Sequence, residues 1–278
     1  FKGVVDDIYI YDNMRDVNDL NTLYHSPEKS ASEFRRVDSV RRTLPASAAA
    51  AVKQASLQAP FDDGDAPGVV NQGKKGSDRG IPLNVKGRLK PGEGTVLFFV
   101  RPDGDVKNLT KSFTLFRAGH LALTYHPRNR KLFFMSGGSE NGTFAWDYSC
   151  YTELPFQWKA GQWHGVGMSW KTIGDKLEKR IWLDGKQVFS SSTTRKPERI
   201  YDREFALMQG FSGTIDELSL WKTALSAEDI LFLTAYPELA ASAAGRSSAK
   251  LMEGSDPLFR RLRREIRGAE QTEPLSFS

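Results

Sequence analysis

One cysteine in 278 residues, Cys150, excludes an internal disulfide and a thiolate metal cluster. Standing between Ser149 and Tyr151 with no histidine beside it, it reads as a small strand residue, not a nucleophile. No apolar run reaches the roughly 18 residues that a membrane-crossing helix needs. Histidine is scarce: His25, His120, His126 and His164 are scattered, and no His-Glu-x-x-His metal motif occurs. The phosphate-binding loop is missing too, and GFSGT (210–214) only superficially resembles a Gly-x-Ser-x-Gly nucleophile elbow.

What is present is aromatic and unevenly charged. Aromatics make up 11% of the chain, which favours strands. The net charge of +5 comes from two flanking clusters, Arg35, Arg36, Arg41 and Arg42, and then Arg260, Arg261, Arg263, Arg264 and Arg267. Such runs form solvated helix faces or meet an acidic partner or membrane surface. In DPLFRRLRREIRG (256–268) Leu258, Leu262 and Ile266 share one helical face with Phe259 beside them. That face either docks on a core or makes the tail a basic amphipathic helix for a partner or anionic surface.

The first 28 residues recur without a gap at 211–238. Phe1, Gly3, Asp6, Asp19, Leu23, Pro27 and Glu28 fall on Phe211, Gly213, Asp216, Asp229, Leu233, Pro237 and Glu238. This internal repeat marks 1–28 as the last strand and helix of a preceding domain, 29–58 as a helical linker, 59–237 as a complete second copy and 238–278 as a basic tail. Pro45 and the Ala-rich 46–57 suit a helix in the linker, packed on the sandwich or acting as a spacer. Phe1 is then expected to be a processing point or chain break. Residues 1–12, with Val5, Ile8 and Ile10 to bury, would complete a sheet supplied by an upstream fragment or another chain, or add to the edge of the second copy.

From Phe61 to Trp221 short strands alternate with turn residues about every ten positions, the pattern of an all-β sandwich. The expected strands are 94–102, 112–118, 120–126, 131–137, 142–148, 162–171, 205–209 and 213–221, plus a hairpin over 179–190. Asp184-Gly185 is a two-residue hairpin turn, and SSSTTRKPERIYD (190–202) reads as a rim loop. Ser226 is the expected N-cap of a closing helix, with Glu228 and Asp229 in its first turn and Pro237 beyond its end. Trp163, Trp170 and Trp182 are expected core residues.

GQWHGVGMSWK, IWLDGKQV and GFSGTIDELSLWKTALSAEDI, in that order and spacing, are similar to the laminin-G-like, concanavalin A-like jelly rolls. The resemblance covers about 59–237 and the orphan end. It implies an antiparallel β-sandwich with short flanking helices, a fold that hosts lectins, adhesion modules, glycosidases and spacers alike. Retaining glucanases of this fold resemble one another in a Glu-x-Asp-x-x-Glu strand with carboxylates about 5 Å apart, and no such string occurs here.

Two features point to binding. Asp62 and Asp63 in FDDGD (61–65) would face Asp216 if the first and last strands pair, a set suited to Ca²⁺, and the resemblance implies a frequent calcium ion. The bland alternative is turn formation and backbone hydrogen bonding. Trp146 and Tyr148, alternating onto one face, with Arg117 and Arg128 nearby, form a candidate ligand platform, although Trp146 also suits a core position. The expectation is a non-catalytic recognition module for a glycan or protein in a larger exported protein, extracellular or in the cell envelope, with no nucleic-acid partner. A structural spacer or docking domain, or an accessory part of an enzyme with its catalytic domain upstream, is the alternative.

Overall fold

The computed structural model describes residues 44–61, 73–140, 142–154, 158–200 and 205–246, and 258, 259, 261–263, 265 and 266 of a C-terminal helical stretch. In chain order come α1 (Ala46–Gln54), β1 (Leu57–Ala59), β2 (Lys74–Lys75), β3 (Glu93–Pro102), β4 (Phe113–Ala118), β5 (Leu121–His126), β6 (Lys131–Glu140), β7 (Thr143–Glu153), β8 (His164–Ile173), β9 (Lys176–Leu183), β10 (Lys186–Thr193), β11 (Phe205–Gln209), β12 (Gly213–Trp221), α2 (Ala227–Ala235) and α3 (Pro237–Ala243).

Alternation of apolar and polar residues puts one face of each strand inward, and two antiparallel sheets result. Among the described residues one has the order β1-β12-β3-β8-β9-β10, with β2 also on β12, and the other β11-β4-β5-β6-β7. The core lies between them. Val96, Met168 and Ile181 are aligned across three strands of the larger sheet, as are Phe98, Val166 and Leu183. They meet Leu115, Phe116, Leu123, Leu132 and Phe134 of the smaller one. Trp170 fills this core and donates from its indole to the Lys90 carbonyl at 3.1 Å.

The larger sheet is apolar on its outer face as well. Leu97, Phe99, Trp163, Trp182 and Trp221 are buried there under α1, α2, α3 and the C-terminal stretch. Trp163 and Trp182 are therefore buried, as expected, but beneath helices and not between the sheets. Ser226 caps α2, accepting the Asp229 N–H at 3.0 Å. Pro237 does more than end α2: it opens α3 at its first turn, where a missing N–H costs nothing. The tail's apolar face is docked on this layer, with Leu258, Phe259, Leu262 and Ile266 all buried. Arg261 reaches Asp184 at 2.7 Å and Arg263 reaches Glu238 at 2.8 Å, so these two cations serve the fold. Burial pushes the Glu238 carboxyl up despite Arg263.

Several boundaries differ from the sequence reading, the run of β6 to Glu140 and the shift of β8 to His164–Ile173 among them. β1 starts inside the segment read as linker, because Leu57 to Ala59 pair with Leu220 to Leu218. β7 runs on to Glu153, beyond the expected 148. Residues 190–193, expected in a rim loop, complete β10, paired with Arg180 to Leu177. Hydroxyl-rich sequence resembles loop, but an edge strand tolerates it because one side faces water.

The repeat at 1–28, the Phe1 expectation and the sheet pairing of residues 1–12 lie outside the described residues. Their counterparts in the second copy are framework residues. Phe211 packs edge-on against Phe113 at 4.8 Å. A Cβ on Gly213 would lie 2.3 Å from the Phe211 ring and 2.6 Å from the Arg101 carbonyl. Asp229 belongs to the cap and Glu238 to the Arg263 pair.

Candidate functional site

The helical layer covers the apolar part of the outer face of the larger sheet. The cavity beneath it, bounded by Leu97, Phe99, Trp221, Leu233, Glu217 and Arg246, measures about 40 Å³, room for water but not for a sugar ring. The smaller sheet is different. Its outer face carries Phe144 and Tyr148, 44% and 46% exposed, on alternate outward positions of β7 with Trp146 between them.

The patch is built by register. Trp146 lies opposite Gly137 and Phe144 opposite Ser139. A Cβ on Gly137 would come within 2.6 Å of the Phe144 ring and 3.3 Å of Trp146, so glycine there is what lets both rings lie down on the sheet. Phe144 and Trp146 meet edge to face at 5.9 Å, and His120 packs against Phe144 at 4.8 Å. Arg117 stacks over Trp146 at 5.4 Å. Tyr148 stands beside Phe133 at 5.8 Å and His126 at 6.5 Å. Further along, Tyr151 stacks on Phe189 at 5.3 Å under Lys131.

Of the expected ligand residues, Arg117, Trp146 and Tyr148 share this face. Trp146 lies outside the inter-sheet core, half-buried between Arg117 and Phe144, so the open ring surfaces belong to Phe144 and Tyr148. Arg128 is exposed in the β5–β6 turn, at the end of the strands away from Arg117. Phe144, His120, His126 and Gly137 were not singled out from sequence. The signal for Phe144 was the same alternation that marked Trp146 and Tyr148.

Of the expected metal ligands, Asp62 and Asp63 lie outside the described residues. Asp216 is fully buried at a bulge in β12, where its Oδ1 accepts the Glu217 N–H at 2.8 Å. Among the described residues no three His, Cys, Asp or Glu side chains stand together as a metal site. One buried carboxylate supplies few of the six to eight oxygens calcium takes, so any such site must draw on the segment beginning at Asp62.

Other buried or half-buried carboxylates face cations. Glu217 takes both terminal nitrogens of Arg246 at 2.8 and 2.5 Å. Asp147 accepts from Lys179, whose side chain is wholly inside the sandwich and also donates to the Phe134 carbonyl at 3.1 Å. Burial pushes the Asp147 carboxyl up, but the hydrogen bond and charge of Lys179 outweigh it and hold the group below its ordinary value. Burial pushes Lys179 down. Cys150 points inward beside them and donates to the Lys179 carbonyl at 3.6 Å; burial raises its thiol to about 11, which keeps it protonated and inert.

Residues 75–231, more than half the chain, match the sequence profile of the concanavalin A-like lectin/glucanase superfamily. The chain belongs to that family, and its two-sheet architecture agrees. No curated protein matches it. Similar solved structures include an HCR/D mutant (13% identity, 59% of this chain and 42% of that chain, TM-score 0.44). Others are the botulinum neurotoxin serotype D binding domain (12%, 56% and 39%, 0.37) and domain 4 of AbnA, an extracellular arabinanase from Geobacillus stearothermophilus, in complex with arabinotriose (20%, 52% and 67%, 0.37). The chain spans less than half the length of the first two. No helix among the described residues is long and apolar enough to cross a membrane.

Proposed function

We propose that the chain is a non-catalytic carbohydrate-recognition module of a larger exported protein, binding its ligand on the outer face of the five-stranded sheet. The observation that carries this is the asymmetry of the sandwich: helices cover the apolar part of one outer face, while the other carries exposed rings at alternate positions of a strand. Flat apolar rings suit the C–H faces of sugars, and Phe144 and Tyr148 offer them, with Trp146 and Arg117 as support. A non-catalytic role fits the carboxylates, since Asp147, Asp184, Glu217 and Glu238 are each bound to a cation. Glycoside hydrolysis needs two that face one another across the scissile bond.

The test is a glycan array on the whole chain, followed by titration of its best binder. Phe144→Ala and Tyr148→Ala are each expected to weaken binding about tenfold, or 1.4 kcal/mol, with unchanged melting. An array without a bound glycan would instead favour a spacer or protein-docking role, and unchanged affinity in both variants would move the site elsewhere.

Calcium enters this proposal through Asp62 and Asp63 joining Asp216. A site filled at about 100 times its dissociation constant stabilises by roughly 2.7 kcal/mol, so millimolar calcium should raise the melting temperature over that in chelator. Identical melting in the two would remove calcium from the account.

A further inference from the structure

We infer that the ligand of this face is an anionic oligosaccharide, carrying carboxylate or sulfate groups, with Arg117 as its anion-binding residue. The inference rests on the carbohydrate reading above and adds the ligand's charge and length. Three outward rows cross the sheet in register. Arg117 lies beside Ala122 and Met135; Thr124 beside Phe133 and Tyr151; His126 beside Lys131 and Glu153. The charge on these rows is positive apart from Glu153, which sits directly opposite Lys131. Asp147, on β7 between Trp146 and Tyr148, is turned inward to Lys179. At one end of the face Arg128 and Arg130 are exposed in the β5–β6 turn. At the other, the carboxylates are held by the chain itself: Glu140 by Arg195 at 3.2 Å and Glu198 by the Ser139 N–H at 2.8 Å.

A neutral sugar presents hydroxyls that both donate and accept, and carboxylate and amide oxygens are the strongest side-chain acceptors for their protons. Among the described residues the only side-chain amide on these rows is Gln209, at the β11 edge beside Thr114 of the Thr124 row, and their single carboxylate lies opposite a lysine. An anionic sugar asks for the reverse, fixed donors beside an apolar platform. Stacking on Trp146 limits how far the Arg117 guanidinium can wander, and its planar fork matches two oxygens of a carboxylate or sulfate. Phe144 and Tyr148 are four residues apart on one strand, about 13 Å, a span longer than one sugar ring. The ligand is therefore a chain of sugars.

The probes are a galacturonate hexasaccharide, sulfated maltohexaose and plain maltohexaose, titrated into the full chain at low and high salt. At least one anionic probe is expected to bind ten times or more tighter than maltohexaose, weakening as salt rises. Arg117→Gln should cost about tenfold in affinity for that probe, and which probe responds tells carboxylate from sulfate recognition. Lys53→Gln, on the helical side, controls for general attraction to a basic protein and should change nothing. If Arg117→Gln lowers melting, Arg128→Gln in the exposed turn takes its place, with a smaller loss expected. Should maltohexaose bind as tightly as the anionic probes, or Lys53→Gln weaken binding as much as Arg117→Gln, the anionic inference falls while the aromatic platform stands. Silence from all three probes and from the array overturns both.

Discussion

Asp147→Ala is expected to lower the unfolding free energy by about 3 to 5 kcal/mol, the usual cost of leaving one member of a buried ion pair alone. Lys179 has no exposed side-chain surface and cannot reach water without opening the sandwich. Its other contacts, the Phe134 and Asp147 carbonyls at 3.1 and 3.4 Å and the Phe134 ring at 5.7 Å, do not neutralise an ammonium. The melting temperature should fall on the order of 10 °C. The double variant Asp147→Leu with Lys179→Met removes both charges together and should return most of the loss, because a buried pair gains little over well-packed apolar side chains. The sign of the pH dependence follows from the lowered Asp147 carboxyl. Its contribution is fully present above the unfolded value of about 3.9 and is lost as pH falls through the lower folded one. Urea midpoints measured from pH 6 down to pH 2 should show this acid limb in wild type and a shallower one in the double variant. A single variant that unfolds at the wild-type urea concentration would refute the pair's role.

The second large effect concerns Asp184, which the sequence presents as half of a turn. In the structure it has a positive φ of 50° and is buried. Its carboxylate accepts the Gly165 N–H at 3.0 Å, lies 3.3 Å from His164 Nδ1 and accepts from Arg261 of the C-terminal stretch at 2.7 Å. His164 is in turn stacked on Trp158 at 3.9 Å. Asp184→Ala thus forces alanine into left-handed backbone, orphans an N–H and leaves Arg261 unpaired, and should cost about 3 kcal/mol or more. Asp184→Asn keeps a residue that tolerates the turn and an oxygen for Gly165, but loses the charge and turns an amide NH2, not an acceptor, toward Arg261, and should cost about 1 to 2 kcal/mol. Both should speed tryptic release of the C-terminal peptide, read by mass spectrometry. Equal losses in the two variants would assign the whole effect to Arg261. Wild-type behaviour in both would leave Asp184 as a turn residue only.

The sequence by itself determined the class of fold. Strand periodicity, the Asp184-Gly185 turn and the Ser226 cap are local: each depends on side chains a few positions apart and on backbone preferences that neighbours do not override. Alternation also placed Trp146 and Tyr148 on one face of β7. Which face remained ambiguous, because period-two alternation gives the same pattern whether a row looks into a core or into solvent. Tertiary structure decided that, by laying Arg117 and Phe144 against Trp146 and leaving Phe144 and Tyr148 open. It likewise decided that the apolar row containing Trp163 and Trp182 is covered by helices, and that the basic tail turns its apolar face and Arg261 and Arg263 toward its own domain. The Lys179–Asp147 pair was invisible in the sequence, where its members stand 32 residues apart on strands of different sheets. Contacts of that kind follow from how sheets stack and where helices pack, and no local pattern encodes them.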